Sequence, residues 1–128
     1  MIVVDTSVWI DLFVNRETET VLKLQKIDPV DLIVVDLVAV EVLQGVRTER
    51  QARRIEEEFR IFGIQPACSP DLAIKAAGNY RRLRSRGITI RKTIDLIIGT
   101  FCIENGHALL HADRDFVPMA EHLGLVLA

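Results

Sequence analysis

Residues 2–13 read I-V-V-D-T-S-V-W-I-D-L-F, and this stretch sets the fold of the chain. Its first three residues are β-branched and apolar, which predicts a short buried strand. Asp5-Thr6-Ser7 follows at once and supplies side chains that cap helices, and the apolar residues beyond it recur at helical spacing. A buried strand that runs directly into a helix is the repeating unit of an α/β fold, so the remaining sequence is expected to repeat it.

The strand–helix pattern recurs to the end of the chain. Short apolar runs predict further strands at Leu32–Val35, near Ile64, at Ala108–Leu110 and at Leu125–Leu127. Helices are predicted over residues 17–26, 36–45, 47–60, 69–86, 94–104 and 120–123, with Asp36, Ser69 and Thr93 as caps. The strands lack polar alternation, which is typical of strands covered by helices on both faces. The pattern therefore predicts an α/β fold with a mainly parallel sheet.

The composition is that of one globular domain over residues 1–128. Hydrophobic residues make up 49% of the chain, enough for one aliphatic core, and the net charge of −2 does not indicate a class of partner. No apolar stretch reaches transmembrane length and the N-terminus lacks the basic region of a signal peptide, so we expect no contact with a membrane and a cytoplasmic location. Cys68 and Cys102 have no metal-binding or redox spacing and are expected to be free, buried thiols.

A glutamate lies within the apolar helix V-A-V-E-V-L-Q-G at residues 38–45. Burying a lone ionised carboxylate is costly unless it has a partner, a metal ion or a raised pKa. The nearest basic residue, Arg47, is six positions away, and neither a cap nor a turn explains an acid at this point. Glu41 is therefore a candidate site residue.

Three other acids have positions that would bring them to one edge of the sheet. Asp5 follows the first strand and Asp113 follows the strand at residues 108–110, and ligands bind beyond the carboxyl ends of parallel strands. Asp95 lies in the first turn of an apolar helix that contains T-I-D-L-I-I-G at residues 93–99. Taken singly, Asp5 could be a helix cap, Asp95 a first-turn acid that favours the helix dipole, and Asp113 a turn residue.

Four acids in one cleft would need a cation, because ionised carboxylates that share a small volume raise one another's pKa. Carboxylate oxygens are the ligands that hard ions such as Mg²⁺ and Mn²⁺ prefer. A cluster of acids around such an ion is the apparatus of metal-assisted phosphodiester hydrolysis. The residues alone leave open whether one ion or two would bind.

Residues 72–94, the basic segment, carry seven basic side chains and no acid. Such a segment can neutralise RNA phosphates, although a solvated helix face has the same composition. Six of the seven are candidate RNA-binding residues: Arg81, Arg82, Arg84, Arg86, Arg91 and Lys92. Tyr80 is the only aromatic residue in the segment, which favours recognition of RNA backbone and shape over base stacking.

Four motifs carry the candidate acids: V-D-T-S-V-W-I-D (4–11), E-V-L-Q-G (41–45), T-I-D-L-I-I-G (93–99) and H-A-D-R-D-F (111–116). In this order they resemble the motifs of PIN-domain nucleases, and among those the VapC ribonuclease toxins of VapBC toxin–antitoxin modules. The resemblance implies a Rossmann-like three-layer α/β/α sandwich and a Mg²⁺-dependent endoribonuclease in which Mn²⁺ can substitute. It also implies an RNA substrate, a homodimer and a cognate VapB-type antitoxin.

The resemblance further implies a role for each matching residue. The catalytic acids would be Asp5, Glu41, Asp95 and Asp113. Asp5 and Asp95 would be the principal Mg²⁺ ligands, and the other two acids would complete the set through water or a second ion. Ser7 and Asp115 match residues that support the site.

One position departs from the family pattern. His111 stands where many relatives have Thr or Ser, which leaves open how the backbone around Asp113 is hydrogen-bonded. We interpret His111 as a supporting residue at most, since a single histidine does not make a ligand set. The other two histidines, His107 and His122, are expected at the surface.

Two alternatives of other kinds are open. A receiver-like signalling domain also has an acidic pocket at the carboxyl edge of a small α/β sheet, but it needs paired acids near the first strand, and Asp5 is followed by Thr6 and Ser7. A catalytically silent PIN-like binding module is the second alternative, which the intact set of four acids disfavours. The sequence has no glycine-rich phosphate-binding loop.

Overall fold

Five strands form a wholly parallel sheet at the centre of the molecule in the computed structural model, which describes all 128 residues. The strands are β1 (Ile2–Val4), β2 (Leu32–Val35), β3 (Ile64–Gln65), β4 (Ala108–Leu110) and β5 (Val126–Leu127). Their order across the sheet is β3-β2-β1-β4-β5. The three central strands are mostly buried and hydrophobic, as expected for strands that helices cover on both faces.

Seven α-helices cover the sheet. They are α1 (Thr6–Phe13), α2 (Glu19–Lys26), α3 (Asp36–Gly45), α4 (Glu49–Phe62), α5 (Pro70–Arg84), α6 (Thr93–Asn105) and α7 (Val117–Leu123). Helices α1 to α4 pack on one another, and α5 packs on α6 and α7. Connections between parallel strands are right-handed as a rule, and the chain moves one way across the sheet from β1 to β3 and the other way from β3 to β5, so the two groups cover opposite faces. The predicted three-layer α/β/α sandwich is confirmed.

The direction of the chain across the sheet reverses between β1 and β4, which are neighbours in the sheet. Val4 pairs with Leu110, and the Asp5 N–H donates to the Leu110 carbonyl at 2.9 Å, so both strands end at the same level. Ligands bind at such a reversal because the two helices that follow the strands diverge and leave a crevice. Asp5 and the turn at residues 111–113 therefore lie side by side at its floor.

Two predicted helix caps are wrong. Lys92, not Thr93, occupies the cap position of α6, and no side chain caps that helix. Asp36 is the first residue of α3, and its carboxylate accepts hydrogen bonds from the N–H groups of Leu37 (2.8 Å) and Ala67 (3.0 Å). Asp36 therefore joins α3 to the loop after β3, a long-range contact that local sequence cannot reveal.

The two cysteines differ in their surroundings. Cys102 is buried in α6 as expected, and burial raises its pKa to about 12. Cys68 is exposed, so the prediction of two buried thiols is wrong for this residue, which lies in the loop between β3 and α5. None of the seven helices combines the length and the apolar character that crossing a membrane requires.

Candidate active site

A cleft of about 360 Å³ opens at the carboxyl edge of the sheet, where the chain direction reverses. Its lining consists of Asp5, Thr6, Ser7, Ile10, Glu41, Gln44, Lys92, Asp95 and Asp113. The structure thus brings together all four acids that the sequence marked out. They come from the ends of β1 and β4 and from helices α3 and α6. Glu41, an acid without local explanation, faces this cleft rather than the core.

Asp5 is buried and held by the first turn of α1. Its Oδ2 accepts hydrogen bonds from the backbone N–H of Ser7 at 3.1 Å and from the Ser7 hydroxyl at 2.6 Å. The same hydroxyl accepts from the N–H of Ala112 at 3.1 Å. Ser7 therefore ties the Asp5 carboxylate to the turn after β4. The other carboxylate oxygen of Asp5, Oδ1, is buried and has no partner in the protein.

Asp95 is 4% exposed, and its buried Oδ2 has no hydrogen-bond partner in the protein. Burial, together with the negative charge of Asp5 and smaller effects of Asp113 and Glu41, raises its pKa from 3.8 to about 7, and Lys92 partly opposes this shift. The four acids of the cleft thus carry more negative charge than Lys92, its one basic residue, can neutralise. A carboxyl group in this state binds either a proton or a cation.

Glu41 is half-buried and has one protein partner, Thr6. The Thr6 hydroxyl donates to Glu41 Oε1 at 2.8 Å, and Thr6 itself is only 8% exposed. This contact joins α1 to α3. It therefore orients Glu41 from the helix that directly follows Asp5. The sequence did not identify Thr6, because a hydroxyl residue in the first turn of a helix already has a local explanation.

Asp113 lines the cleft, and Asp115 lies beside it, outside the lining. The Asp115 N–H donates to Asp113 Oδ1 at 3.0 Å. Arg91 donates through Nε to Asp115 Oδ2 at 3.3 Å and through Nη2 to Asp115 Oδ1 at 3.2 Å. This hydrogen bond and the charge of Asp115 raise the pKa of Arg91. Both carboxylate oxygens of Asp115 are therefore engaged by Arg91, which fits a supporting residue better than a metal ligand.

His111 supports the same turn. Its Nδ1 accepts the N–H of Asp113 at 3.2 Å, and its ring packs near that of Phe116 with a centroid separation of 5.3 Å. A Thr or Ser hydroxyl at this position could accept the same N–H, so the departure from the family pattern preserves the hydrogen bond.

The donor set fits a hard divalent cation. Asp5 Oδ1 and Asp95 Oδ2 are both buried without partners, which is costly for carboxylates unless a cation or proton satisfies them. One oxygen each from Asp95, Asp113 and Asp115 lie within 4.8 Å of one another. The acidic side chains in the cleft supply oxygen donors only, the chemistry that Mg²⁺ and Mn²⁺ prefer.

Thr6→Val should weaken the binding of a divalent cation, because it removes the only protein hydrogen-bond donor to Glu41 and keeps the side-chain shape. We expect about tenfold weaker binding of Mn²⁺ by isothermal titration calorimetry, the usual effect of losing a group that orients a ligand. Thr6→Ser keeps the hydroxyl and serves as the control. Equal Mn²⁺ affinity for Thr6→Val and wild type would show that cation binding does not depend on the hydrogen bond from Thr6 to Glu41.

The six basic residues predicted to bind RNA are all exposed but have different surroundings. Arg91 pairs with Asp115, Arg86 contacts Nδ1 of His122 at 2.9 Å, and Arg84 lies 5.9 Å from the centre of the Tyr80 ring. Arg81 and Arg82 extend from α5, and Lys92 lines the cleft. Their role in RNA binding stays a prediction.

The remaining histidines are half-buried. His107 packs against Phe101 with ring centroids 5.7 Å apart, its Nδ1 is buried, and burial lowers its pKa. His122 is contacted by Arg86 and lies 3.8 Å from Glu121. Both histidines therefore lie at the surface, where neighbouring side chains partly cover their rings.

Known proteins share the sequence pattern and the fold of this chain. The family model for the PIN domain matches residues 2–121. The Ribonuclease VapC11 of Mycobacterium tuberculosis is 28% identical over 134 aligned residues, which cover 100% of this chain and 98% of that relative. Among solved structures, FitAB bound to the IR36 DNA fragment has a TM-score of 0.77 at 16% identity, covering 100% of this chain and 94% of that one. VapBC-1 from nontypeable Haemophilus influenzae has a TM-score of 0.74 at 18% identity, with coverage of 100% and 97%.

Proposed function

The chain belongs to the PIN-domain family, and from this premise we propose that it is a Mg²⁺-dependent endoribonuclease, the toxin of a type II toxin–antitoxin module. The observation that carries the proposal is the pair of buried, unpartnered carboxylate oxygens of Asp5 and Asp95 in an acidic cleft. Family membership excludes the receiver-like alternative. A silent binding module has no need for buried acids without partners, so their presence favours an enzyme.

The residues have the following proposed roles. Asp5 and Asp95 are the principal ligands of the cation, and Glu41 and Asp113 complete the acidic set through water or a second cation. Ser7 fixes the Asp5 carboxylate, and Asp115 steadies the turn that carries Asp113. When bound, the divalent cation supplies an activated water and offsets negative charge on the phosphate.

In the reaction a water oxygen forms a bond to phosphorus, and one ester bond between phosphorus and oxygen breaks. One proton of the water goes to the leaving oxygen and the other stays with the new phosphate monoester. The acids of this chain contribute by orientation, since each is held by hydrogen bonds or by burial. Thr6 and Ser7 hold two of them through single hydroxyl groups.

A VapB-type antitoxin is the proposed protein partner, and a homodimer the proposed assembly, in the cytoplasm where RNA is made and translated. VapC11, the relative described above, is named a ribonuclease, and the two similar structures are of FitAB and VapBC-1. An apolar groove supports the antitoxin proposal: Ile10 lines both this groove and the acidic cleft, and Phe13, Val14, Val42 and Val46 continue it. A segment seated there could extend into the cleft and block it.

The proposed activity is tested with antitoxin-free protein and total RNA. We expect cleavage with Mg²⁺, no cleavage with EDTA, and recovery when excess Mg²⁺ is added back, because the acids alone cannot offset charge on the phosphate. Fragment ends mapped by sequencing would define the cleavage site. Undiminished cleavage by the protein in EDTA would contradict the proposed metal dependence.

A further inference from the structure

Lys92 is the one basic residue among the nine that line the cleft. It lies at the cap position of α6, three residues before Asp95, and its side chain is exposed to solvent. Its charge opposes the rise in the pKa of Asp95, so the ammonium lies close enough to act on the cleft. Yet it forms no salt bridge, unlike Arg91 beside it. Because the Lys92 ammonium has no ion-pair partner, it can bind an anionic group of a ligand that enters the cleft.

The pairing of Arg91 explains why Lys92 faces the cleft. The guanidinium of Arg91 is held by both oxygens of Asp115. The backbone at Lys92 is extended (φ −115°, ψ 122°), and the Lys92 side chain lines the cleft whereas that of Arg91 does not. Arg91 thus anchors the segment on the Asp115 side and leaves Lys92 on the side of Asp5 and Asp95.

The first turn of α6 adds positive potential at the same place. No side chain caps this helix of 13 residues, so its first N–H groups are not satisfied by a cap. The positive end of the helix dipole favours an anion there. The four acids attract a cation but repel a phosphodiester, whereas Lys92 and the uncapped turn attract it. The cleft therefore presents separate sites for a cation and for a phosphate oxygen.

We propose that Lys92 binds a non-bridging oxygen of the scissile phosphate and stabilises the charge that develops on it during hydrolysis. The arginines of α5 then serve to hold the RNA outside the cleft. This inference rests on the proposed ribonuclease function and assigns Lys92 a role distinct from the rest of the basic segment. In this role Lys92 contributes to the chemical step more than to RNA affinity, because the charge grows in the transition state.

The test compares Lys92→Gln, Lys92→Arg and the control Lys26→Gln, which removes an exposed lysine from the end of α2. The probe is a short synthetic RNA that spans a cleavage site mapped in total RNA. With saturating protein and Mg²⁺, Lys92→Gln should slow single-turnover cleavage by about 100- to 1,000-fold, the effect of losing one donor to a developing oxyanion. Lys92→Arg should retain more activity than Lys92→Gln, and Lys26→Gln should match wild type.

Two binding measurements separate this role from a structural one. RNA affinity in EDTA should change by about threefold or less in Lys92→Gln, because the loss of one phosphate contact among several is small. Mn²⁺ affinity by calorimetry should stay equal or rise, since a cation next to the acids has been removed. Weaker Mn²⁺ binding with activity restored by more metal would overturn the proposal in favour of a structural role.

The outcomes also distinguish this inference from the proposed function. If wild type and Lys26→Gln do not cleave RNA, the ribonuclease proposal fails and the role of Lys92 fails with it. If both cleave RNA and Lys92→Gln cleaves at the same rate, only the inference about Lys92 is overturned. Thermal unfolding of each variant checks that the folded state is retained.

Discussion

Asp95→Asn should abolish metal-dependent RNA cleavage and at the same time stabilise the metal-free protein. The amide keeps the size of the carboxyl group but cannot replace a charged ligand, so we expect the single-turnover rate to fall by at least about a thousandfold. The metal-free protein should gain roughly 2–4 kcal/mol in free energy of unfolding at pH 8, because a buried, unpartnered negative charge is removed. Loss of activity with gain of stability is expected of an acid placed for a ligand.

Asp71→Asn is the matched control for this substitution. Asp71 is an exposed acid in the first turn of α5, as Asp95 is a buried acid in the first turn of α6. The control should leave both cleavage and stability near the wild-type values. Cleavage by Asp95→Asn at the wild-type rate would place the active site elsewhere or reveal a contaminant. A less stable Asp95→Asn in EDTA at pH 8 would show that the ionised carboxylate is needed by the fold.

The metal-free protein should lose stability as pH rises from 5 to 8. The pKa of Asp95 is about 7 in the folded protein against an ordinary value of 3.8, so the folded protein binds more protons than the unfolded chain in this interval. The free energy of unfolding therefore falls with rising pH, by about 2–3 kcal/mol from this group alone. Urea unfolding in EDTA at several pH values measures the effect, and Asp95→Asn should lack this part of the dependence.

Cation binding should show the opposite dependence on pH. Below pH 7 a proton on Asp95 competes with the metal, so Mn²⁺ affinity should fall by up to about tenfold for each unit of pH. Above pH 7 the affinity should level off. Calorimetry in two buffers of different ionisation enthalpy would detect the proton released on binding at pH 6. Mn²⁺ affinity that is constant from pH 5.5 to 8 would contradict the raised pKa of Asp95.

Most of the fold could be predicted from the sequence because its units are local. A short apolar run followed by a capping residue and a helical pattern identifies each strand–helix pair without knowledge of the partner strands. The boundaries were less predictable. Helix α5 ends at Arg84, two residues before the expected end, and α7 begins at Val117 rather than near residue 120. Such ends depend on packing and on caps, which vary with long-range contacts.

The candidate acids could be identified because they lie either within apolar helices or directly after strands. Glu41 lies in an apolar helix, and Asp5 and Asp113 follow strands that a parallel sheet must end at one edge. Thr6 and Lys92 could not be assigned their positions in the cleft this way. A threonine in a first turn and a lysine in a basic segment agree with local rules, so the sequence gives no reason to place either of them in the cleft.

By itself, the sequence determined the order of strands and helices, the parallel sheet, the family motifs and the four acids, since hydrophobic spacing and chain order carry that information. Only the tertiary structure decided which polar and charged side chains pair with one another. It joined Thr6 to Glu41, Ser7 to both Asp5 and Ala112, and Arg91 to Asp115, and it left Asp95 and Lys92 without hydrogen-bond or ion-pair partners. The reason is physical. The charge state of a side chain and the number of its hydrogen bonds depend on distances of a few ångströms to residues that are distant in sequence, and sequence spacing does not specify those distances.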